Sequence, residues 1–456
     1  MRNQTLHRKV ENFIISSVVL LKEFASKESV SQKQVGPSKG DSKIVSYKFV
    51  FQHFKDLEKL PEFIDCAKYL RHNLVTLKFI NRSWRDINGN LIKMEDLRTK
   101  LPFKLNLFSD LHRLLSRHIQ ENGDFVFSRN NFDEAYEEFE RAIYSKDVLY
   151  RLSSILEGFT IDIDELKFGN NYRIRKMTPK ENMSVFDKYP PPTPFSIMNW
   201  IRHEYLLEAI ISQKKGTQPN ANLVQEVFDD IVSVLRLFKS GCVTVRYIDC
   251  EPISWSSTGR AIYGKGFRSG IVPPRIYTLN KSEIHSILKL WRRFRAFRRN
   301  EGSSEEANYF NIALKRFNFG IEETDVENKI IDFIIGFEAL CLSDSFELGY
   351  KLSNRVAILL AKNSGEAEKI REFMKIAYRV RSKIVHGDKT KPIIIAGKSI
   401  DLGPFTLKLE EYLRKLLKIF LALSTKGKKK GDIIMDLDRS LFDLKTKRLL
   451  RSISTR

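Results

Sequence analysis

From position 281 onward, apolar residues recur at helical spacing in one segment after another, and this pattern constrains the chain more than any other. Ile284, Ile287, Leu288, Trp291, Phe294 and Phe297 form the first such set. Thr324 with Glu327 gives the spacing of a capping box ahead of Ile330, Ile331, Ile334, Phe337 and Leu340. Leu352, Val356 and Leu359 continue in a third helix that stops near Asn363-Ser364-Gly365. A fourth runs from about Glu366 to Val385, a fifth over about 407–423, and a last one starts at Ile433. Each stripe must be buried against another element, so 281–445 reads as a helical bundle, followed by a basic tail over 446–456.

Upstream the texture differs. The first 28 residues read as an amphipathic helix with Val10, Phe13, Ile14, Leu21 and Phe24 on one face, and residues 29–44 read as a polar loop. Asp133 to Leu156 and Trp200 to Ile211 look helical. Phe159, Ile161 and Ile163 alternate with polar residues, and Gly169-Asn170-Asn171 precedes a second alternation at Tyr172 and Ile174, which signals a hairpin. Val243–Ile248 and Ala261–Tyr263 are strand-like, and Pro190–Pro194 marks an extended connection. The expected class is α+β. A mainly helical region (1–118) and a mixed α/β domain (119–280) precede the all-α bundle.

The formal charge is +22, from 78 basic and 56 acidic residues. Such a field favours polyanions: RNA, DNA or an anionic membrane surface. The densest patch lies over 281–300. There Lys281, Lys289, Arg292, Arg293, Arg295, Arg298 and Arg299 face one acid, Glu283. A solvated helix face and a phosphate-backbone track both fit these charges. Cys66, Cys242, Cys250 and Cys341 form no C-x-x-C pair and no zinc spacing, so neither a metal site nor a disulfide framework is expected, and the setting is read as reducing and cytoplasmic. His203, His285 and the other histidines outside the motif below show no ligand spacing. The apolar run Phe13–Leu21 is too short to span a bilayer, and Lys22 and Glu23 close it.

The fourth helix ends in Tyr378-Arg-Val-Arg-Ser-Lys-Ile-Val-His386-Gly387. On an ideal helix Phe373, Ile376, Ala377, Val380 and Ile384 share a core stripe. Met374, Tyr378, Arg381 and Val385 flank it, and Lys375, Arg379, Ser382 and His386 form a polar stripe. Arg379 and His386 project within about 20° of each other and roughly 10 Å apart along the axis, whereas Arg381 and His386 diverge by about 140°. Gly387 suits the position just past a helix end, where the last turn departs from ideal geometry. That end also favours a protonated imidazole. An arginine offers a fork of donors to a phosphate, and a histidine can move a proton near neutral pH.

Arg381-x4-His386 within YRVRSKIVHG resembles the R-x4–6-H motif of HEPN domains, most closely the ApeA-like branch. IIDFIIGFEALCL (330–342, with Glu338), YKLSNRVAILL (350–360, with Arg355), LEEYLRKLLKIF (409–420) and DIIMDLDRSLFD (432–443) resemble that family's surrounding helices. The segment NNYRIRKMTPKE (170–181) resembles, less specifically, one that often precedes the domain. The resemblance covers about 281–445 and implies a HEPN-like bundle that forms a homodimer. It further implies an endoribonuclease that needs no metal or other cofactor, with Arg381 and His386 of both copies converging on RNA to leave a 2′,3′-cyclic phosphate. Active members often carry Asn, Asp or His after the arginine. Ser382 stands there instead, able to hydrogen-bond a phosphate but not to carry a proton.

Two readings follow. In the first, the chain is an RNA-cleaving effector of a defence or toxin–antitoxin kind. Arg381 and His386 are catalytic, Arg379, Ser382 and Glu338 support them, and Arg292, Arg293, Arg295, Arg298 and Arg299 contact RNA. A regulatory protein or phage trigger would then act through the N-terminal residues, and no membrane is involved. In the second, a non-catalytic HEPN module binds RNA, nucleotide or a protein partner. Glu338, on an otherwise apolar helix, is expected to pair with Arg355 or Arg381, or to support the site directly. Asp388 reads as a capping or salt-bridge residue.

Overall fold

A computed structural model describes residues 3–27, 49–72 (without 51), 104–179 (without 146), 181, 205–214, 219–253 (without 246), 261–264, 275–300, 308–387 (without 345), 393–395 and 398–450 (without 444 and 447). The chain divides into two compact units. One comprises 1–152, 210–220 and 249–262, the other 153–209, 221–248 and 263–456. Both helices and an antiparallel sheet are present, so the chain is α+β as expected. No described helix is long and apolar enough to cross a membrane.

The first unit is built on α1 (Gln4–Lys27), α2 (Phe54–Leu57), α3 (Pro61–His72), α4 (Lys104–Asn122) and α5 (Arg129–Tyr144). Helix α1 buries Val10, Phe13, Ile14 and Leu21 as its spacing demands, while Phe24 is half-buried. These side chains meet Leu111, Leu114 and Leu115 of α4 and Phe132 and Tyr136 of α5 in one core. The polar loop expected at 29–44 and the proline segment at 190–194 lie outside the described residues.

Four imidazoles sit inside this aromatic core: His7, His53, His112 and His118. His53 stacks on Phe24 with 4.4 Å between centroids, and His112 on Phe54 with 3.8 Å. His118 is fully buried. Its Nε2 accepts from Asn122 Nδ2 (2.9 Å) and from the backbone N–H of Ser128 (3.3 Å), the residue that caps α5. An acceptor nitrogen holding two donors fixes the neutral ring.

The strands are β1 (Asp147–Glu157), β2 (Phe159–Ile161), β3 (Glu165–Phe168), β4 (Tyr172–Lys176), β5 (Tyr205–Lys214), β6 (Thr244–Val245), β7 (Tyr247–Pro252), β8 (Ala261–Gly264) and β9 (Tyr277–Leu279). Their main sheet runs β3-β4-β5-β1-β7-β8, with β6 beside β1, and β2 pairs with β9 separately. The hairpin turns at Gly169, whose φ of +71° is open to glycine at little cost. Its strands pair Phe168 with Tyr172 and Glu165 with Arg175. The first alternating segment is not part of it. Phe159–Ile161 pairs in parallel with Tyr277–Leu279, placing Phe159 beside Tyr277.

Two expected helices are strands in whole or part. Helix α5 ends at Tyr144, and 147–157 is β1, which buries Val148, Tyr150 and Leu152 alternately while Leu149 stays exposed. The charge density of 133–144 masked this change of period. Residues 205–214 form β5, paired with β4 from Tyr172↔Ala209 to Lys176↔Tyr205. Three consecutive apolar residues, Tyr205 to Leu207, fit a strand covered on both faces as well as they fit a helix.

The helices of the second unit are α6 (Ala221–Phe238), α7 (Ile284–Asn300), α8 (Asn308–Glu322), α9 (Val326–Cys341), α10 (Leu348–Leu360), α11 (Ser364–Val385), α12 (Leu402–Ser424) and α13 (Lys430–Arg439). A short hairpin, β10 (Ile393–Ile395) and β11 (Lys398–Ile400), follows α11. Helices α6 and α8 add to those expected, and α6 buries Val224, Phe228, Ile231 and Leu235 at helical spacing. The cap of α9 is Asp325, whose carboxylate accepts the Asn328 N–H (2.8 Å), one residue beyond the Thr324 expected. Helix α9 packs along α8 and against α11 and α12, and α10 packs along α11.

Buried charge ties these helices together. Arg236 of α6, 1% exposed, donates from Nε (3.0 Å) and Nη2 (2.8 Å) to the Val243 carbonyl, and from Nη1 to Asn318 of α8 (3.2 Å). It also pairs with Glu322 at 2.9 Å. Arg414 of α12 donates to the Arg236 carbonyl (2.7 Å), pairs with Glu410, and lies over the Phe317 ring. Glu410 also accepts from Arg275 (2.6 Å).

All four cysteines are buried and unpaired. Burial pushes the thiols of Cys66 and Cys341 up to about 12 and that of Cys250 to about 11, and raises Cys242 as well.

Two outcomes are expected. Burial lowers the His118 pKa below its ordinary 6.5. A depressed folded-state pKa means the stability is present above about 6.5 and is lost as pH falls below that value. Hydrogen exchange over 112–132 should therefore lose protection between pH 6.5 and 5, after correction for intrinsic rates, and His118→Gln should flatten that loss. An identical pH response in the variant would remove His118 as the cause. Gly320 of α8 faces Phe333 of α9 so closely that a Cβ would collide with the ring. Gly320→Ala should destabilise the chain by about 1–3 kcal/mol in urea unfolding. Gly365→Ala, with space for its methyl, should be neutral or stabilising.

Candidate active site

Helix α11 begins at an Asn363 cap, which accepts the Glu366 N–H (2.9 Å), and ends at His386. His386 has φ −87° and ψ 2°, and its N–H still reaches the Ser382 carbonyl (3.1 Å). Gly387 follows at φ +77°, the left-handed residue that terminates the helix.

The helix is sunk at one end only. Ile370, Phe373, Met374 and Ala377 are buried. Beyond Ala377 the burial stops. Val380, Arg381, Ser382 and Ile384 are half-buried, Val385 is 50% exposed, and Arg379, Lys383 and His386 are exposed. The expected core stripe is thus only partly realised. Phe373 and Ala377 are in it, Met374 replaces Ile376, and Val380 and Ile384 remain at the margin.

Arg381 points back toward α9. Its Nη2 lies 4.0 Å from Glu338 Oε2, beyond hydrogen-bond reach, with both side chains about a quarter exposed. Its Nε–H is buried with no hydrogen-bond partner. Leaving such a buried donor unmet costs about 1–3 kcal/mol. Partial burial raises the Glu338 pKa, and the Arg381 charge pulls it back down less strongly. Of the two partners expected for Glu338, the structure selects Arg381. Arg355, 4% exposed, is instead committed to Asp438 (3.0 and 2.9 Å) and to the Cys341 carbonyl (2.7 Å).

Arg379 and His386 carry no side-chain hydrogen bond or ion pair among the described residues. Ser382 contributes its backbone carbonyl to the helix end. Asp388 lies outside the described residues.

The arginines of α7 separate into two groups. Arg295 and Arg298 both pair with Asp230 of α6 (3.3 and 3.1 Å), and Arg298 also donates to Asn311 (2.8 Å). Arg295 lies over the rings of Tyr172 and Trp291, and Arg298 over Phe294. Arg292 is exposed and bonds only its own helix, at the Leu288 carbonyl (3.3 Å). Arg293 is half-buried and Arg299 is exposed. Helical spacing on α7 cannot reveal that Asp230 of α6 reaches two of the five.

A cavity of about 520 Å³ lies between α6 and α8, lined by Asp230, Arg236, Arg298, Asn318 and Glu322 among others. Glu226 and Asp230, four apart on α6, were the one sequence cue to an acidic face there. No three His, Cys, Asp or Glu side chains among the described residues are grouped so as to hold a metal ion. No family model, curated protein or solved structure matches this chain.

Glu338 offers a direct check on this geometry. A carboxyl whose folded-state pKa is raised contributes stability below its unfolded pKa, about 4.3, that is lost as pH rises through the folded value. Glu338→Gln should therefore gain in melting temperature relative to the parent as pH is raised from 4 to 8. A steady loss across that range would mean that the Arg381 pairing dominates.

Proposed function

We propose that the chain is a HEPN-type endoribonuclease that cuts RNA without a metal and acts as a dimer, with Arg381 and His386 as the catalytic pair. The observation that carries the reading is the end of α11. There a partly exposed guanidinium, whose nearest acid stays 4.0 Å away, and a solvent-facing imidazole stand five residues apart, where the helix emerges from the core.

RNA supplies its own nucleophile. The 2′-hydroxyl attacks the adjacent phosphorus, a 2′-O–P bond forms, and the P–O5′ bond breaks. The hydroxyl proton must leave and the departing 5′-oxygen must gain one. His386 would carry this proton traffic, a contribution of about 10²–10⁴-fold. The second imidazole of a dimer would let one ring act as base and the other as acid. Arg381 would meet the charge that builds on the phosphate oxygens, with the Ser382 hydroxyl as a further contact and Arg379 on a phosphate farther along the strand. Glu338 would hold the guanidinium in place until a phosphate replaces it as the stronger partner.

Arg292, Arg293 and Arg299 remain candidates for wider RNA contact. Arg295 and Arg298, already neutralised by Asp230, act on the fold in this reading. A defence or toxin-like role in the cytoplasm, under a regulatory protein or phage trigger, rests on the sequence resemblance.

The test is cleavage of end-labelled RNA in EDTA by wild type, His386→Ala and Arg381→Ala. Wild type should yield products ending in 2′,3′-cyclic phosphate, and each variant should lose at least about 10²-fold in rate. A DNA strand of the same sequence should stay intact. Equal residual cleavage in all three proteins would refute the assignment. RNA binding without cleavage by any of them would favour the non-catalytic module.

A further inference from the structure

The exposed face of α11 carries more than the two proposed catalytic residues. Lys375, Arg379, Lys383 and His386 recur at intervals of four, four and three, which keeps them within an arc of about 80° on the helix surface. Each step of four advances about 6 Å. Arg379 and Lys383 are exposed and bear no ion pair among the described residues. Lys375 has only a loose one, 3.7 Å to Glu372, with both side chains about half exposed. The acids toward the start of the same face are occupied, since Arg371 holds Glu368 at 2.6 Å and reaches Glu372 at 3.5 Å.

Like charges four apart destabilise a helix by a few tenths of a kcal/mol per pair. The helix dipole offsets such a cost only within the last turn. That covers Lys383 but leaves Lys375 and Arg379 unexplained. Helix α7, the richer patch by sequence, has two of its arginines neutralised.

We infer that the Lys375–Arg379–Lys383 ladder is the backbone track that delivers single-stranded RNA to His386. This inference rests on the nuclease reading for its destination but not for its binding chemistry. The rungs neutralise successive phosphates and leave the bases unread. The strand runs along α11 toward its C-terminal end, where the phosphate following the last rung meets Arg381 and His386.

The experiment measures binding of labelled single-stranded RNA against salt concentration. The full chain carries His386→Ala to keep the RNA intact. Arg379→Ala and Lys383→Ala should each weaken binding and lower the slope of log K against log salt by about 0.7, the value for one single-strand phosphate, and together by about twice that. Single-stranded DNA of the same sequence should show the same losses, because only phosphates are contacted. Helical circular dichroism should match the parent, as these positions lie on the helix surface.

Slopes equal to the parent, or no RNA binding by the parent itself, would overturn the track. So would losses that follow Arg292→Ala and Arg299→Ala but not the rungs, or rung substitutions that release anionic phosphatidylserine vesicles while RNA binding is kept. The cleavage assay stands apart from this outcome. Lost slope with no RNA cleavage by wild type keeps the track and removes the nuclease, and cleavage with unchanged slopes does the reverse.

Discussion

The second unit depends on two guanidinium groups placed where water cannot reach them. Arg236 and Arg414 are almost fully buried; Arg236 spends its donors on the Val243 carbonyl and on Asn318 and Glu322 of α8, and Arg414 on the Arg236 carbonyl and on Glu410 of its own helix. A buried charge that loses its partner costs about 3–5 kcal/mol. Helices α6, α8 and α12 and the residue just ahead of β6, Val243, are therefore held in one arrangement, since any slip would strand a charge. Apolar packing alone would tolerate small slides between these helices, whereas this network fixes their register.

Against that fixed frame, α11 is anchored and free at once. Its first half is seated on α10 and α9, with Ile370, Phe373, Met374 and Ala377 buried and Phe373 meeting the Phe405 and Tyr412 rings of α12. Its last two turns emerge with polar side chains and half-covered apolar ones. Rigid support at one end and solvent at the other give a positioned but accessible set of groups, which is what a site acting on a large substrate requires. Glu338 belongs to the seated part of this frame, reaching from α9 toward the exposed part. Its loose 4.0 Å approach to Arg381 keeps the guanidinium near neutral balance without using up its donors.

Much of this was legible in residue spacing. The C-terminal helices other than α8, the glycine stop at 387, the hairpin at Gly169 and the first helix all follow from periodicity and turn chemistry that act locally. The failures have a common physical cause. Whether 205–207 forms strand or helix depends on β4 lying beside it, which no local pattern encodes. The pairing of Phe159–Ile161 with residues more than a hundred positions away is equally invisible from the segment itself. Along α11, spacing matched the helix and its end at Gly387, but not its rotation, because Met374 rather than Ile376 is turned inward. It could not choose between Arg355 and Arg381 as the partner of Glu338 either, since that choice rests on Asp438 capturing Arg355 from α13.

The burial of Cys66, Cys242, Cys250 and Cys341 has a practical corollary. A thiol reacts through its thiolate, and all four are held well above neutrality and away from solvent. The native chain is therefore close to silent toward maleimides while folded. A single cysteine grafted onto the outer face of α11 would be its one readily alkylated position, so a fluorophore or spin probe could be placed there without first stripping the core of sulfur.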